Sequence, residues 1–137
     1  MINTRFSVAI HILTLVATQN DKGVTSDFIA KSVNTNPVVI RRIGSLLKKA
    51  NLLKGGPGVA GYSIVTEPSE ITLLDIYRAV TSEGELFAVH DHPNPNCDVG
   101  RNIQATLDIS LTRAQQAMEN ELNKQTLADI IQHLSIQ

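Results

Sequence analysis

Two stretches of the chain carry residue types and spacings that suit chemistry, and the first of them is basic. Residues 37–50 contain no Asp or Glu and carry four basic side chains, Arg41, Arg42, Lys48 and Lys49. Guanidinium and ammonium groups bind phosphate, and a guanidinium can also donate two parallel hydrogen bonds to a guanine edge. Because an ordinary surface helix mixes acids with bases, this composition favours a polyanion such as a nucleic acid as the ligand.

The second stretch holds His90, His92 and Cys97 within eight residues. Imidazole nitrogen and thiolate sulfur are ligands for zinc, copper or iron. Since no fourth ligand is evident beyond Asp91 or Asp98, we expect no metal site and no bound cofactor. The three residues remain candidates for a redox or effector response, because an accessible thiol can be oxidised. In the simpler alternative, apolar side chains pack this loop against the helix that follows, namely Leu86, Phe87, Val89 and Cys97.

A further alternative is an enzyme that uses Cys97 as its nucleophile and His90 or His92 as its base. Such catalysis requires the base within hydrogen-bond reach of the nucleophile and a third group that orients the base. The sequence contains no oxyanion-type motif, no phosphate-binding loop and no paired carboxylates. We therefore predict that the protein is not an enzyme.

The charges of the chain nearly cancel, at −1 overall, but they are distributed unevenly. Residues 1–66 carry eight Lys and Arg against two Asp, a net charge of +6. Residues 67–137 carry four Lys and Arg against eleven Asp and Glu, a net charge of −7. An asymmetry of this kind indicates that the basic half faces a polyanion.

Composition and hydropathy exclude several other classes. The 137 residues include 42% hydrophobic residues and one cysteine, which suits one domain with an appended element and excludes a disulfide scaffold. No segment has the roughly 18 to 20 apolar residues that span a bilayer, and the N-terminus lacks the features of a signal peptide. We expect a cytoplasmic protein without membrane contact.

Apolar residues at helical spacing predict two helices before the basic interval. The first spans Ile2–Gln19, with Asn3 or Thr4 as its cap. The second spans Ser26–Ser32, and Thr25 or Ser26 caps it. Its predicted apolar face consists of Phe28, Ile29 and Val33.

The basic interval itself is predicted to be the third helix. Residues 34–36 form a polar turn, and Pro37 occupies the first helical position, where its missing N–H does no harm. Ile40, Ile43 and Leu47 fall on one face of this helix, which runs to Ala50. They therefore point into the core while the basic residues point outward.

A glycine-rich loop follows the third helix. Residues 54–61 read KGGPGVAG and separate Leu52–Leu53 from Tyr62–Val65, a pattern that predicts a two-stranded hairpin. Thr72 and Asp75 then form a capping-box pair that opens a fourth helix. This order of elements is that of a winged helix-turn-helix, whose third helix enters the major groove. The predicted fold class is mainly α with a small β-hairpin wing.

A long helix is predicted near the C-terminus, over Arg101–Asn123. Apolar residues recur on it in steps of three and four, at Ile103, Leu107, Leu111, Ala114, Met118 and Leu122. Such a seam suits pairing with a second copy, with packing on its own core as the alternative. Thr126 and Asp129 open a last short helix. We predict a winged-helix DNA-binding domain (1–82), a sensing loop (83–98) and dimerisation helices (99–137).

The outer face of the third helix supplies the predicted base contacts. Arg41 and Arg42 suit guanine edges or phosphates, and Val38 suits a thymine methyl group. The helix N-terminus, capped by Asn36, can bind a phosphate. The residues predicted to contact double-stranded DNA are Arg5, Ser26, Thr35, Asn36, Pro37, Val38, Arg41, Arg42, Ser45, Lys48 and Lys54.

Several motifs resemble those of the Rrf2 family of bacterial transcription regulators. NTNPVVIRR, together with LFAVH and PNPNC, is similar to its YwnA-like branch, and ITLLDIYRAV and TLADII extend the match over nearly the whole chain. The resemblance implies a homodimer whose subunits each carry an N-terminal winged helix and pair through the long C-terminal helix. It also implies binding to a palindromic operator, often as a repressor.

Two features depart from that family pattern. Members that sense through an iron–sulfur cluster carry three cysteines before the long helix, whereas this chain has Cys97 alone, so we expect no such cluster. Many members also carry an arginine in the wing, where this chain has Lys54 followed by two glycines and Pro57. Wing contacts are therefore expected from Lys54 and from backbone amides.

Two alternatives to a plain DNA-binding regulator remain open. In one, the regulator responds to redox state or to a small molecule through Cys97. In the other, the winged helix binds a protein instead of DNA, because a fold alone does not fix function.

Overall fold

The protein is mainly helical, with a two-stranded antiparallel hairpin, as the sequence predicts. A computed structural model describes residues 4–19, 23–58, 60–82, 85–87 and 89–136. Within these ranges the helices are α1 (Arg5–Thr18), α2 (Ser26–Val33), α3 (Pro37–Lys49), α4 (Leu73–Val80), α5 (Asp98–Leu122) and α6 (Leu127–Ile136). The strands are β1 (Leu53–Gly55) and β2 (Tyr62–Ile64), and a 3-10 turn spans Pro68–Glu70.

Local capping signals set the corner between α2 and α3. The Thr25 hydroxyl accepts a hydrogen bond from the Phe28 N–H (3.2 Å), and the Asn36 side chain accepts one from the Val38 N–H (2.8 Å). Between the two helices, Asn34 adopts the left-handed conformation, with φ at 64°, which asparagine tolerates at a helix end. The polar cluster therefore forms the predicted turn.

The core lies where α1, α3 and α4 meet. As predicted, Ile40, Ile43 and Leu47 of α3 point inward. Their neighbours on the other two helices are equally buried, and together these side chains hold α3 with its basic face outward. The central members from α1 and α4 are Ile12, Leu13 and Ile76.

The last helix is part of this core. Thr126 and Asp129 form the predicted reciprocal cap of α6, and the Leu127 N–H donates to the Ile71 carbonyl at 2.8 Å. Leu127 is fully buried, and α6 packs on α1 and on the 3-10 turn. The contacts of α6 thus tie it to the N-terminal helix and to the 3-10 turn. The predicted division into residues 1–82, 83–98 and 99–137 stays a prediction.

Two details near the N-terminus differ from the sequence prediction. Helix α1 begins at Arg5, and Thr4 makes no side-chain capping bond, while Asn3 lies outside the described residues. Phe28 is 49% exposed instead of lying on the apolar face of α2. The buried face of α2 comprises Ser26, Ile29 and Ala30, and Phe28 is turned away from it because successive helical residues are rotated by about 100°.

Gly23 lets the backbone before α2 approach the hairpin loop closely. A Cβ on Gly23 would lie 1.5 Å from the Ala60 carbonyl oxygen, whereas a Cβ on Gly58 would meet nothing within 4 Å. We expect Gly23→Ala to lower the free energy of unfolding by about 3 kcal/mol. The matched Gly58→Ala change should stay within about 0.5 kcal/mol. Urea denaturation measures both, and equal midpoints would contradict a rigid close approach at Gly23.

Candidate nucleic-acid interface

The outer face of α3 presents basic side chains to solvent. Arg41, Arg42 and Lys48 are exposed, as is Ser45 between them. Within the described part of the chain, neither Arg41 nor Arg42 takes part in an ion pair. Both guanidinium groups are therefore available to an external acceptor, on a helix that carries no competing carboxylate.

The N-terminal end of α3 lies at the corner with α2. Asn36 caps the helix, Pro37 occupies its first position, and Val38 is 47% exposed beside them. Thr35 is half-buried, and its backbone N–H donates to the Ala30 carbonyl at 3.0 Å. Because unpaired amides and the helix dipole favour anions at a helix N-terminus, this end of α3 suits a phosphate.

Two of the predicted DNA contacts are engaged within the protein. Ser26 is 3% exposed, and its hydroxyl and its N–H both approach the Pro57 carbonyl oxygen at 3.4 Å, which links α2 to the hairpin tip. Arg5 forms an ion pair with Glu85 in the loop after α4. Direct DNA contact by Ser26 and Arg5 stays a prediction, while the contacts shown are structural.

The hairpin forms the wing, which we define as residues 53–64. Lys54 is exposed on β1 and pairs in register with Ser63 on β2. On the other edge of β2, Val24 and Tyr62 exchange backbone hydrogen bonds of 3.0 and 2.8 Å. The sequence analysis missed this third extended segment, although Val24 and Thr25 are two β-branched residues directly before a helix.

Tyr62 is a further residue that the sequence analysis missed. Its side chain is buried, and its ring lies against Gly44 in the middle of α3, where an added Cβ would be 2.8 Å from the hydroxyl oxygen. Burial raises the pKa of Tyr62, and the positive charge of Arg41 acts in the opposite direction. The wing therefore contacts α3 at Gly44, which is one of the buried residues of this helix.

The three candidate sensing residues have different surroundings in the structure. His92 lines a cavity of about 510 Å³ with Asp91 and Arg101. The His90 carbonyl accepts a hydrogen bond from the Gln104 amide at 2.9 Å, and Cys97 is exposed just before the first residue of α5. A redox or effector role for these residues stays a prediction.

The apolar side chains of this loop are only partly covered within one chain. Leu86 is 41% exposed, Phe87 is 37% exposed, Cys97 is exposed and Val89 is half-buried. Leu86 lines a cavity together with Gln115 and Glu119 of α5. Packing of the loop against α5 therefore stays a prediction.

Helix α5 is 25 residues long, and none of its residues is buried. Along its seam, Leu122 packs against the core, whereas Leu107 and Leu111 do not. Near its C-terminal end, Arg78 of α4 donates to Glu119 at 3.2 Å and Gln115 donates to it at 2.9 Å. These two hydrogen bonds lower the pKa of Glu119. The helix is thus tied to its own core at one end. Along its apolar seam Ala114 is exposed, and the other five seam residues are half-buried.

These features define a class of protein. A helix-turn-helix with a buried inner face presents a basic, acid-free helix to solvent, and a short wing lies beside it. This is the arrangement of winged-helix DNA-binding proteins. No helix within the described ranges is long and apolar enough to cross a membrane.

Comparison with known proteins specifies the class further. Residues 2–133 match the Rrf2 family model, described as an iron-dependent transcriptional regulator. The chain is 53% identical over 134 residues to YwnA, a candidate HTH-type transcriptional regulator of Bacillus subtilis (strain 168), with 98% of this chain and 99% of that protein covered. The chain belongs to the Rrf2 family of DNA-binding transcriptional regulators.

Solved structures agree with this assignment. A crystal structure of a candidate DNA binding protein superposes with a TM-score of 0.76 at 46% identity, covering 93% of this chain and 98% of that one. A candidate transcriptional regulator from Lactobacillus plantarum superposes with a TM-score of 0.83 at 28% identity, covering 96% of this chain and 90% of that one. These relatives are regulators and not enzymes, which confirms the non-enzymatic prediction.

The residues of this chain do not fit the iron in the family description. An iron–sulfur cluster is held by several thiolates, and the sequence has one cysteine. Among the residues that the structure describes, no three His, Cys, Asp or Glu side chains lie together as metal ligands would.

Proposed function

We propose that the protein is a homodimeric repressor that binds a palindromic operator with one α3 helix per half-site. The observation that carries the proposal is the exposed basic face of α3, on which Arg41 and Arg42 have no ion-pair partner among the described residues. A two-fold dimer presents two such helices, so the operator has two related half-sites. The repressor role rests on the family resemblance, and binding to the chromosome implies a cytoplasmic location.

Each contact residue has a distinct part in this proposal. Arg41 and Arg42 read base edges in the major groove, and Val38 contacts a thymine methyl group. Lys48 further along α3 and Lys54 on the wing contact phosphates, which contribute affinity with little sequence information. The N-terminus of α3 holds one more phosphate.

Pairing through α5 supports the dimer. The helix is about 37 Å long at 1.5 Å per residue, and its seam leaves leucines partly exposed in the single chain. Covering a seam of this period with a second copy buries apolar surface along the helix, as in a coiled coil.

Selection of bound duplexes from a random library tests the proposal. We expect a two-fold symmetric sequence whose half-sites are separated by whole helical turns. If no duplex binds better than random DNA at low salt, the proposed function is wrong.

The selected operator should bind with a steep dependence on salt. Lys48 and Lys54 contact phosphates in this proposal, which gives four such contacts in a dimer. Counterion release from four contacts predicts a loss of roughly 100-fold in affinity between 50 and 200 mM salt. Fluorescence anisotropy titrations measure this slope, and a flat dependence would contradict the basic interface.

A further inference from the structure

We propose that Tyr62, seated on Gly44, fixes the wing to α3, so that the wing and the recognition helix read DNA as one rigid unit. Tyr62 is a positioning residue in this proposal, because it acts through Arg41 and Lys54 and does not touch DNA itself. The proposal rests on the proposed function, since it concerns how the DNA interface is held.

The backbone of Tyr62 is held on both sides. It pairs with Gly55 on β1, and on its other edge its N–H and carbonyl both bond to Val24, directly before α2. A Cβ on Gly55 would lie 2.2 Å from the Gly61 carbonyl oxygen, and one on Gly61 would lie 2.4 Å from the Val24 nitrogen. Tyr62 is thus the middle of three closely packed segments, which leaves its backbone little freedom to shift.

The side chain of Tyr62 extends from this point to α3. Tyr62 is 2% exposed, and a Cβ on Gly44 would be 2.8 Å from its hydroxyl oxygen and 3.0 Å from its ring carbon Cζ. Glycine weakens the middle of a helix, so its presence in α3 needs a reason. The ring supplies that reason, because any side chain at position 44 would occupy the place of the tyrosine.

A predicted base-reading residue and a predicted phosphate-binding residue both lie near the contact between Tyr62 and Gly44. Arg41, one turn before Gly44 on α3, is close enough for its charge to act on the Tyr62 hydroxyl. On the wing, Gly55 stands opposite Tyr62, and Lys54 is the next residue of the same strand. The position of the ring therefore sets the distance between a base-reading side chain and a phosphate-binding one.

A fixed distance of this kind affects recognition. DNA must present its major groove and the neighbouring phosphates at the spacing that α3 and the wing require, so sequence-dependent DNA shape contributes to selection. Were the wing mobile against α3, Lys54 would not be held at its phosphate, and its contribution to operator binding would be lost.

The Gly44→Ala substitution tests the contact between the Tyr62 ring and α3. Helix propensity alone predicts a more stable α3, whereas the geometry predicts that the tyrosine ring is displaced. We expect the operator affinity to fall at least tenfold, with unchanged binding to random DNA at low salt and an unchanged circular dichroism spectrum. Gly44→Ala combined with Tyr62→Phe should recover part of the loss, because the hydroxyl oxygen makes the closest contact. An unaltered operator affinity of Gly44→Ala would overturn the proposal.

A double-mutant cycle with Lys54→Ala tests the coupling. In the otherwise unaltered protein, Lys54→Ala should weaken operator binding. It should also reduce the salt slope by about 2, because the dimer carries the change twice. With Gly44→Ala present, the same change should have no further effect. Equal effects in both backgrounds, or no effect of Lys54→Ala in the unaltered protein, would overturn the proposal while leaving operator binding by α3 intact.

A second variant, Tyr62→Leu, tests the same contact if Gly44→Ala fails to fold. Tyr62→Leu keeps an apolar side chain but leaves the space above Gly44 unfilled, so it should also make Lys54→Ala silent. If Lys54→Ala retains its full effect with Tyr62→Leu, the ring does not couple the wing to α3.

Discussion

Replacing Arg41 and Arg42 together by alanine is expected to abolish discrimination between the operator and random DNA. Each well-placed bidentate contact contributes about 1–3 kcal/mol of discrimination, so losing two per subunit weakens operator binding by roughly 100-fold or more. The core should be unaffected, because both side chains are exposed. Anisotropy titrations of the operator and of a scrambled duplex at one salt concentration measure the difference.

The matched control removes two positive charges elsewhere. Arg113 lies exposed on α5, and Lys124 lies exposed just beyond its end. The Arg113→Ala/Lys124→Ala variant should bind the operator within about twofold of the unaltered protein, since a distant exposed charge is largely screened. If the Arg41/Arg42 variant loses the same factor on both duplexes, those arginines contact phosphates and do not read bases.

The second large effect is expected from charges placed on the seam of α5. Leu107→Glu combined with Leu111→Glu should convert the dimer to a monomer at micromolar concentration. A two-fold interface contains each substitution twice, and burying unpaired carboxylates costs several kcal/mol. We expect the dissociation constant of the dimer to rise at least about 1,000-fold. Operator binding should fall with it, because a monomer occupies one half-site.

Ile109→Glu is the control for this experiment. Ile109 is 63% exposed, and helical geometry places it on the side of α5 opposite the seam. This variant should remain a dimer by size-exclusion chromatography with light scattering. A Leu107/Leu111 variant that keeps the dimeric mass would show that the seam is not the pairing surface.

Much of the helix-turn-helix could be predicted because its signals are local. Thr25 and Asn36 cap their helices within three residues, and Pro37 starts α3 where its ring geometry suits a first turn. The reciprocal caps of α4 and α6 are equally local. Helical periodicity then identified the inward face of α3, and therefore the outward basic face.

Other features could not be predicted because they depend on residues far apart in sequence. The exposure of Phe28 depends on which face of α2 meets the core, and eight residues are too few for periodicity to decide it. The burial of α6 depends on hydrogen bonds that join its start to the start of α4, more than fifty residues earlier. The sequence of a short apolar helix does not indicate which element the helix packs against.

The sequence by itself determined the order of the elements, the basic reading helix and the apolar seam of α5. Capping, periodicity and charge depend on residues that are close together in the sequence. Only the tertiary structure decided how the wing is held. Gly44 and Tyr62 are unremarkable residues in separate elements, and their contact exists because the hairpin and Val24 bring the ring onto α3. The identity of the reading helix is therefore local information, whereas its placement relative to the wing is a property of the packed chain.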